Sequence, residues 1–131
     1  MKIAHNTILS GRRRGRGAFP DLANSLTVSY RYRNLRPKRR PAVMNNVLAL
    51  TDSPGHLCGA ARMAKNVTIA GIACSDRDVV ADPLLDARGA PTAESTVLID
   101  RARRGWSTRD LLGRSRGTAP DIGAFEYVPP P

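Results

Sequence analysis

The chain has 131 residues, one domain's length, with 41% apolar and 24% charged residues. That balance excludes full disorder, and no uncharged apolar stretch approaches the 18 residues of a membrane-spanning helix. The net charge of +10 lies wholly in residues 1–40, and residues 41–131 are neutral. With 11 Gly, 10 Pro and only 5% aromatics, the composition disfavours a helical bundle and a ring-built core.

The chain opens on Met1-Lys2-Ile3-Ala4-His5-Asn6, with no apolar run behind it and so no signal peptide. From there a short motif recurs. Asn6-Thr7-Ile8-Leu9, Asn24-Ser25-Leu26-Thr27-Val28, Asn46-Val47-Leu48-Ala49-Leu50 and Asn66-Val67-Thr68-Ile69-Ala70 each begin with Asn and continue into an apolar or β-branched run. The intervals between the Asn residues are 18, 22 and 20. Val, Ile, Thr and Leu over about five residues predict strands. In the last run Val67 and Ile69 share one face, and Thr68 and Ala70 the other.

Short strands recurring at this spacing predict a parallel solenoid of about four coils. Asn at a fixed place in each coil tolerates a left-handed corner, and stacked Asn side chains can bond to one another as a ladder. Ile8, Val28, Leu48 and Ile69 are the candidate stacked core, with Leu48 and Ile69 in the two cleanest repeats.

Between the runs stand two dense basic segments, Arg12-Arg13-Arg14-Gly15-Arg16 and Arg36-Pro37-Lys38-Arg39-Arg40. They are an electrostatic footprint for a polyanion or solvated loops. Their Gly and Pro neighbours favour loops. No zinc-ligand spacing or recognition helix accompanies them, so nucleic acid is an unfavoured partner. An acidic polysaccharide is the other polyanion that Arg forks would take.

Candidate chemistry is sparse. Asp76 and Asp78, spaced to share a strand face, with Asp82 and Asp86 nearby, could form a carboxylate pair or a calcium cluster. A solvated turn neutralised by Arg77 is the favoured alternative. His5 and His56 are the only histidines, and neither has a catalytic context. Cys58 and Cys74, 16 residues apart, could be a disulfide or a buried pair of free thiols. Trp106 reads as packing rather than a sugar platform. The best helix candidate is residues 107–112, capped by Ser107 or Thr108. No catalytic, cofactor-binding or metal-binding residue is assigned, and no cofactor is expected.

The chain ends Pro120-Asp121-Ile122-Gly123-Ala124-Phe125-Glu126-Tyr127. This close resembles the C-terminal part of right-handed parallel β-helix proteins of the pectate-lyase-like superfamily, and in particular the choice-of-anchor Q group, which commonly ends on Asp-Ile-Gly-Ala-(Phe or Tyr)-Glu. Ala81-Asp82-Pro83-Leu84-Leu85 resembles the family's Asp-Pro-Leu-Phe segment, and Val97-Leu98-Ile99-Asp100 its Ala-Ile-Asp segment. Asp110-Leu111-Leu112-Gly113-Arg114 resembles its Asp-Gly-Arg stretch. The likeness covers residues 42–128 well and residues 1–30 loosely. The chain departs from it at Ala93-Glu94-Ser95-Thr96, where the family has Pro-Gly-Ser-Pro, and in the basic runs, which match nothing in it.

The resemblance implies an all-β fold, with residues 1–80 forming β-helix coils interrupted by basic loops and residues 81–131 a final coil and closing tail. It implies the C-terminal piece of a larger secreted or cell-surface protein, a structural or carbohydrate-facing scaffold. The alternatives are a remnant of a polysaccharide lyase or glycoside hydrolase whose active-site coils lie elsewhere, and a basic nucleic-acid-binding protein.

Overall fold

The structure is a computed structural model that describes residues 1–8, 34–48, 58–69 and 72–131. Among the described residues seven short strands carry it: β1 Lys2–Ala4, β2 Thr7–Ile8, β3 Ala42–Met44, β4 Val47–Leu48, β5 Arg62–Ala64, β6 Val67–Thr68 and β7 Val79–Val80. They form two parallel sheets, ordered β1-β3-β5 and β2-β4-β6-β7. Helix is confined to a 3-10 turn at Pro37–Arg39 among the assigned elements. The predicted helix at residues 107–112 is absent: the segment is a turn, with Ser107 Oγ donating to the Arg109 carbonyl and a single bridge between Arg109 and Ser115. Asp110 directs its carboxylate back to the amides of Leu112 and Arg114, a local alternative to helix.

Three strand pairs share one design. A three-residue strand meets a two-residue strand across two residues: His5-Asn6, Asn45-Asn46 and Lys65-Asn66. The first residue of each link is left-handed, with φ of 57°, 60° and 59°. That conformation turns the chain from one sheet into the other and is costly for most side chains. The second residue is always Asn, so the left-handed corner expected at that Asn stands one residue before it. Asn6 donates from its amide and Nδ2 to Asn46 Oδ1, and Asn46 does the same to Asn66 Oδ1, all at 3.0–3.1 Å. Asn46 Nδ2 also donates to the carbonyls of Ile3 and Met44. The predicted Asn ladder is therefore present at three positions.

The fourth expected position, Asn24, lies outside the described residues, as does Val28. Lys2, Ile3 and Ala4 pair directly with Ala42, Val43 and Met44, and Asn6 bonds directly to Asn46. The fourth level is supplied by Asp78, which accepts from both the amide and Nδ2 of Asn66 at 2.9 Å. Asp78 is only 12 residues after Asn66, so a shorter connection closes this level. A carboxylate only accepts, so the chain of donors stops there.

Register sorts the core. Ile8, Leu48, Thr68 and Val80 are aligned across the second sheet, as are Thr7, Val47, Val67 and Val79. Leu48 is buried with Val43, Ala60, Ala61 and Met63, against Ile3, Ile8 and Cys74. Val47 and Val67 face the opposite way and are covered by Leu98 and Ile122 of the tail. Ile69, expected beneath Leu48, instead lies half-buried beside Val67, as strand alternation required. Thr68 fills the stacked position, its hydroxyl donating to the Val79 carbonyl at 3.3 Å. Leu48→Ala should accordingly cost roughly 3 kcal/mol and Ile69→Ala about half of that. Leu111→Ala should be nearly neutral, since Leu111 is 71% exposed. Urea midpoints of the three variants check this order.

Cys58 and Cys74 form a disulfide, with Cα atoms 4.9 Å apart, at the edge of the Leu48 cluster. It closes the loop that carries β5 and β6, and cross-linking such a loop removes about 3 kcal/mol of entropy from the unfolded chain.

Candidate functional site

The tail makes the second layer over the β2-β4-β6-β7 sheet. Asn45, at the turn before β4, clips it: Oδ1 accepts from the Arg103 amide at 2.8 Å and Nδ2 donates to the Arg103 carbonyl at 2.9 Å. The Gly123 amide donates to the Asn45 carbonyl, and the Ala124 amide to Thr7 Oγ1. Gly123 has φ of 105°, and a Cβ there would sit 2.9 Å from Thr7 Oγ1, so the close approach of tail to sheet requires glycine.

A polar knot fastens the end of the tail. Arg116, 2% exposed, donates to the carbonyls of Arg109, Asp121 and Gly123 and is ion-paired with Glu126. Asp121 accepts from the amides of Asp100 and Tyr127, and Asp110 accepts from that of Glu126. Burial pushes the carboxyls of Asp121 and Glu126 above their usual range. The conspicuous terminal string is thereby accounted for as structure: carboxylates that fasten, an isoleucine that packs, a glycine that permits contact.

Tail coverage ends short of β7. Val79 is 44% exposed, and beside it opens a cleft of about 280 Å³. Val79, Val97 and Ile122 give it an apolar floor, and Lys65, Arg77 and Arg101 stand around it. Lys65 comes from the left-handed turn before β6, Arg77 from the loop before β7 and Arg101 from the tail. No acidic residue lines the cleft, and none of the three cations is ion-paired among the described residues. The Arg101 Nε touches only the Thr96 carbonyl, at 3.4 Å. Asp78, next to Arg77, is buried and committed to Asn66 and Ser75.

The candidate residues read from sequence are dispersed. Asp76 and Asp78 do not share a strand face, because β7 begins only at Val79. Asp76 is exposed while Asp78 ends the Asn ladder. Asp82 accepts from the Leu84 amide, and Asp86 from the amides of Arg88 and Ala90. Among the described residues no group of His, Cys, Asp and Glu comes together that could hold a metal ion. Arg77 neutralises neither neighbour and faces the cleft instead. Trp106 is half-buried with Lys2 Nζ 5.1 Å from its ring centre, a cation–π contact joining tail to first strand. Arg36–Arg40 surround an exposed 3-10 turn, with Arg40 Nε donating to the Leu35 carbonyl. Residues 12–16 and His56 lie outside the described residues. Among the described residues no helix is long and apolar enough to cross a membrane.

His5 is buried at the first left-handed turn, its Nε2 accepting from Asn45 Nδ2 at 3.0 Å. The neutral ring then carries its proton on Nδ1, which has no partner. Burial, and then the nearby Arg116 charge, lower its pKa to about 4, opposed by the Asp121 backbone. A depressed folded-state value means the neutral ring is favoured, so its contribution is intact above the unfolded value near 6.5 and is lost as pH falls towards 4. The loss reaches about 3 kcal/mol at the acid end of that window. His5→Asn, which suits the left-handed backbone and does not titrate, should flatten the stability difference between pH 6.5 and 4 in paired urea titrations. An unchanged slope would refute the assignment.

The cleft and the knot are thus two places where the described chain gathers charge, one unpaired and open, the other paired and closed. Comparison with known protein families, with curated proteins and with solved structures gives no match.

Proposed function

We propose that this chain is the C-terminal region of a right-handed parallel β-helix protein of the surface or secreted kind, a structural or carbohydrate-facing scaffold rather than a catalytic unit. The observation that carries the proposal is the polarity of the Asn ladder. Asn46 and Asn66 each receive an amide and an Nδ2 from the level before, whereas Asn6 Oδ1 receives no donor among the described residues. What complements that edge is another strand pair whose link carries Asn, stacked parallel on β1 and β2. At the other end Asp78 stops the ladder and the tail folds back over the sheet, as a closing segment would. The terminal Asp121-Ile122-Gly123-Ala124-Phe125-Glu126 string and the 20-residue step from Asn46 to Asn66 support the same family. The Cys58–Cys74 disulfide supports an oxidising compartment.

Two measurements test this. The coding sequence upstream of Met1 should read in frame into further Asn-apolar strand pairs and a secretory leader, and an upstream region with neither overturns the scaffold. Affinity electrophoresis through polygalacturonate should retard the chain more than passage through a neutral glucan does, and equal mobility in the two gels overturns the carbohydrate-facing part.

A further inference from the structure

We propose that the cleft beside β7 is a binding site for a compact multivalent oxyanion, its carboxylate or phosphate oxygens held by Lys65, Arg77 and Arg101. This goes beyond the scaffold proposal and stands without it, since every residue of the site lies between positions 65 and 122.

Three cations from three separate segments converge on one cleft, and no carboxylate lines it. Like charges held together raise the energy of the fold unless solvent or a counter-charge screens them. The described residues hold two ion pairs, and neither is at the cleft. Arg116 is paired with Glu126, and Arg88 lies 3.5 Å from Asp86. The nearest carboxylate to Arg77 by sequence that is buried, Asp78, is turned into the ladder. The cations of the cleft therefore have no acidic partner among the described residues, though residues 41–131 contain as many acids as bases.

Their identity bears on the ligand. Two guanidiniums offer planar forks that match carboxylate or phosphate edges, and one ammonium adds a point charge. The Val79, Val97 and Ile122 floor is apolar and weakens screening, which strengthens each contact. The volume, about 280 Å³, suits a small polyanion or one or two acidic units of a chain, not a nucleic-acid duplex. The tail creates the site by covering β2, β4 and β6 and leaving β7 bare.

The test is isothermal titration of the whole chain with citrate, inorganic pyrophosphate and trigalacturonate, with acetate as the monovalent control. One saturable site is expected for at least one polyanion, and the arm that binds tightest identifies the source of the oxygens. Lys65→Asn, Arg77→Gln and Arg101→Gln should each weaken it roughly ten-fold, the usual worth of one charge-assisted contact. Lys65→Asn places at this turn the residue that the equivalent turn before β4 already uses at Asn45. All three side chains are exposed, so unchanged urea midpoints are expected to accompany the loss. Replacing Arg12, Arg13 and Arg14 with Ser removes three charges, more than any one cleft variant, and should leave the site intact. Absence of a saturable site for all three polyanions overturns the proposal. So does equal weakening by the cleft and the Arg12–Arg13–Arg14 variants, which would assign the binding to net charge alone.

Discussion

Asn46→Asp should leave most of the chain unfolded at neutral pH, while Asp78→Asn should fold almost normally. The two changes are chemically reciprocal, and the direction of the ladder makes them unequal. Asn46 is fully buried and is donor and acceptor at once. Its Oδ1 takes the Asn6 amide and Nδ2, and its Nδ2 serves the Ile3 and Met44 carbonyls and Asn66 Oδ1. A carboxylate keeps the first set and faces three oxygens with a fourth. Burying an unpaired charge among acceptors, with the Ile3 and Met44 carbonyls losing this donor and Asn66 Oδ1 keeping only the backbone amide, costs about 4 kcal/mol or more. That is most of the stability of a small domain. Acidification should recover part of the loss, because a protonated Asp can donate once.

At position 78 the demands are those of an acceptor. In the Asp78→Asn variant the new carboxamide would keep its oxygen for Asn66, and its nitrogen would meet Ser75 Oγ, a hydroxyl that can turn to accept. The cost should stay within about 1 kcal/mol. Urea titrations of both variants, followed by circular dichroism, decide the matter. Similar midpoints would mean that the ladder is not directional.

The second large effect is expected at Arg116. Arg116→Met preserves much of the side-chain volume but strips the Arg109, Asp121 and Gly123 carbonyls of a donor and leaves the Glu126 carboxylate without its cation. Breaking one side of a buried pair costs about 3–5 kcal/mol, mostly through the charge left behind. Arg116→Lys should rescue little, since one ammonium cannot span three carbonyls and a carboxylate that a planar fork reaches together. Arg116→Met with Glu126→Gln should recover part of the loss, because the orphaned charge is then gone. The damage should begin in the tail. Hydrogen exchange should show the amides of Ile122, Gly123 and Ala124, which bond to Leu98, Asn45 and Thr7, losing protection before that of Val67, which bonds to Asn46. An Arg116→Lys variant as stable as the parent would refute this account of the knot.

Local rules made much of the sheet layer legible. Asn followed by two β-formers marks β2, β4 and β6, and the alternation that set Val67 and Ile69 on one face holds. The ladder too follows from residue type, since an amide side chain both donates and accepts. Pairing such as that of β1 with β3 across 40 residues is a long-range outcome that a short motif does not specify. One inference about the core failed. Ile69 is apolar and in the right run, but lies one residue past the stacked position that Thr68 holds, and one residue reverses the face.

Residue types and spacing within about 20 positions thus marked β2, β4 and β6 and the Asn ladder, because those depend on backbone preference and on a side chain's own donors and acceptors. Tertiary structure alone decided what meets across longer separations. It made Asp78, for which a solvated turn was the favoured reading, the buried end of the ladder. It joined Cys58 to Cys74, for which a free-thiol pair was an equal reading. It buried Arg116 against the closing string and brought Lys65, Arg77 and Arg101 to one cleft. The last two depend on where the tail crosses the sheet, and that path is set by the burial of Leu98 and Ile122 on Val47 and Val67, a non-directional force that the order of residues along the chain does not display.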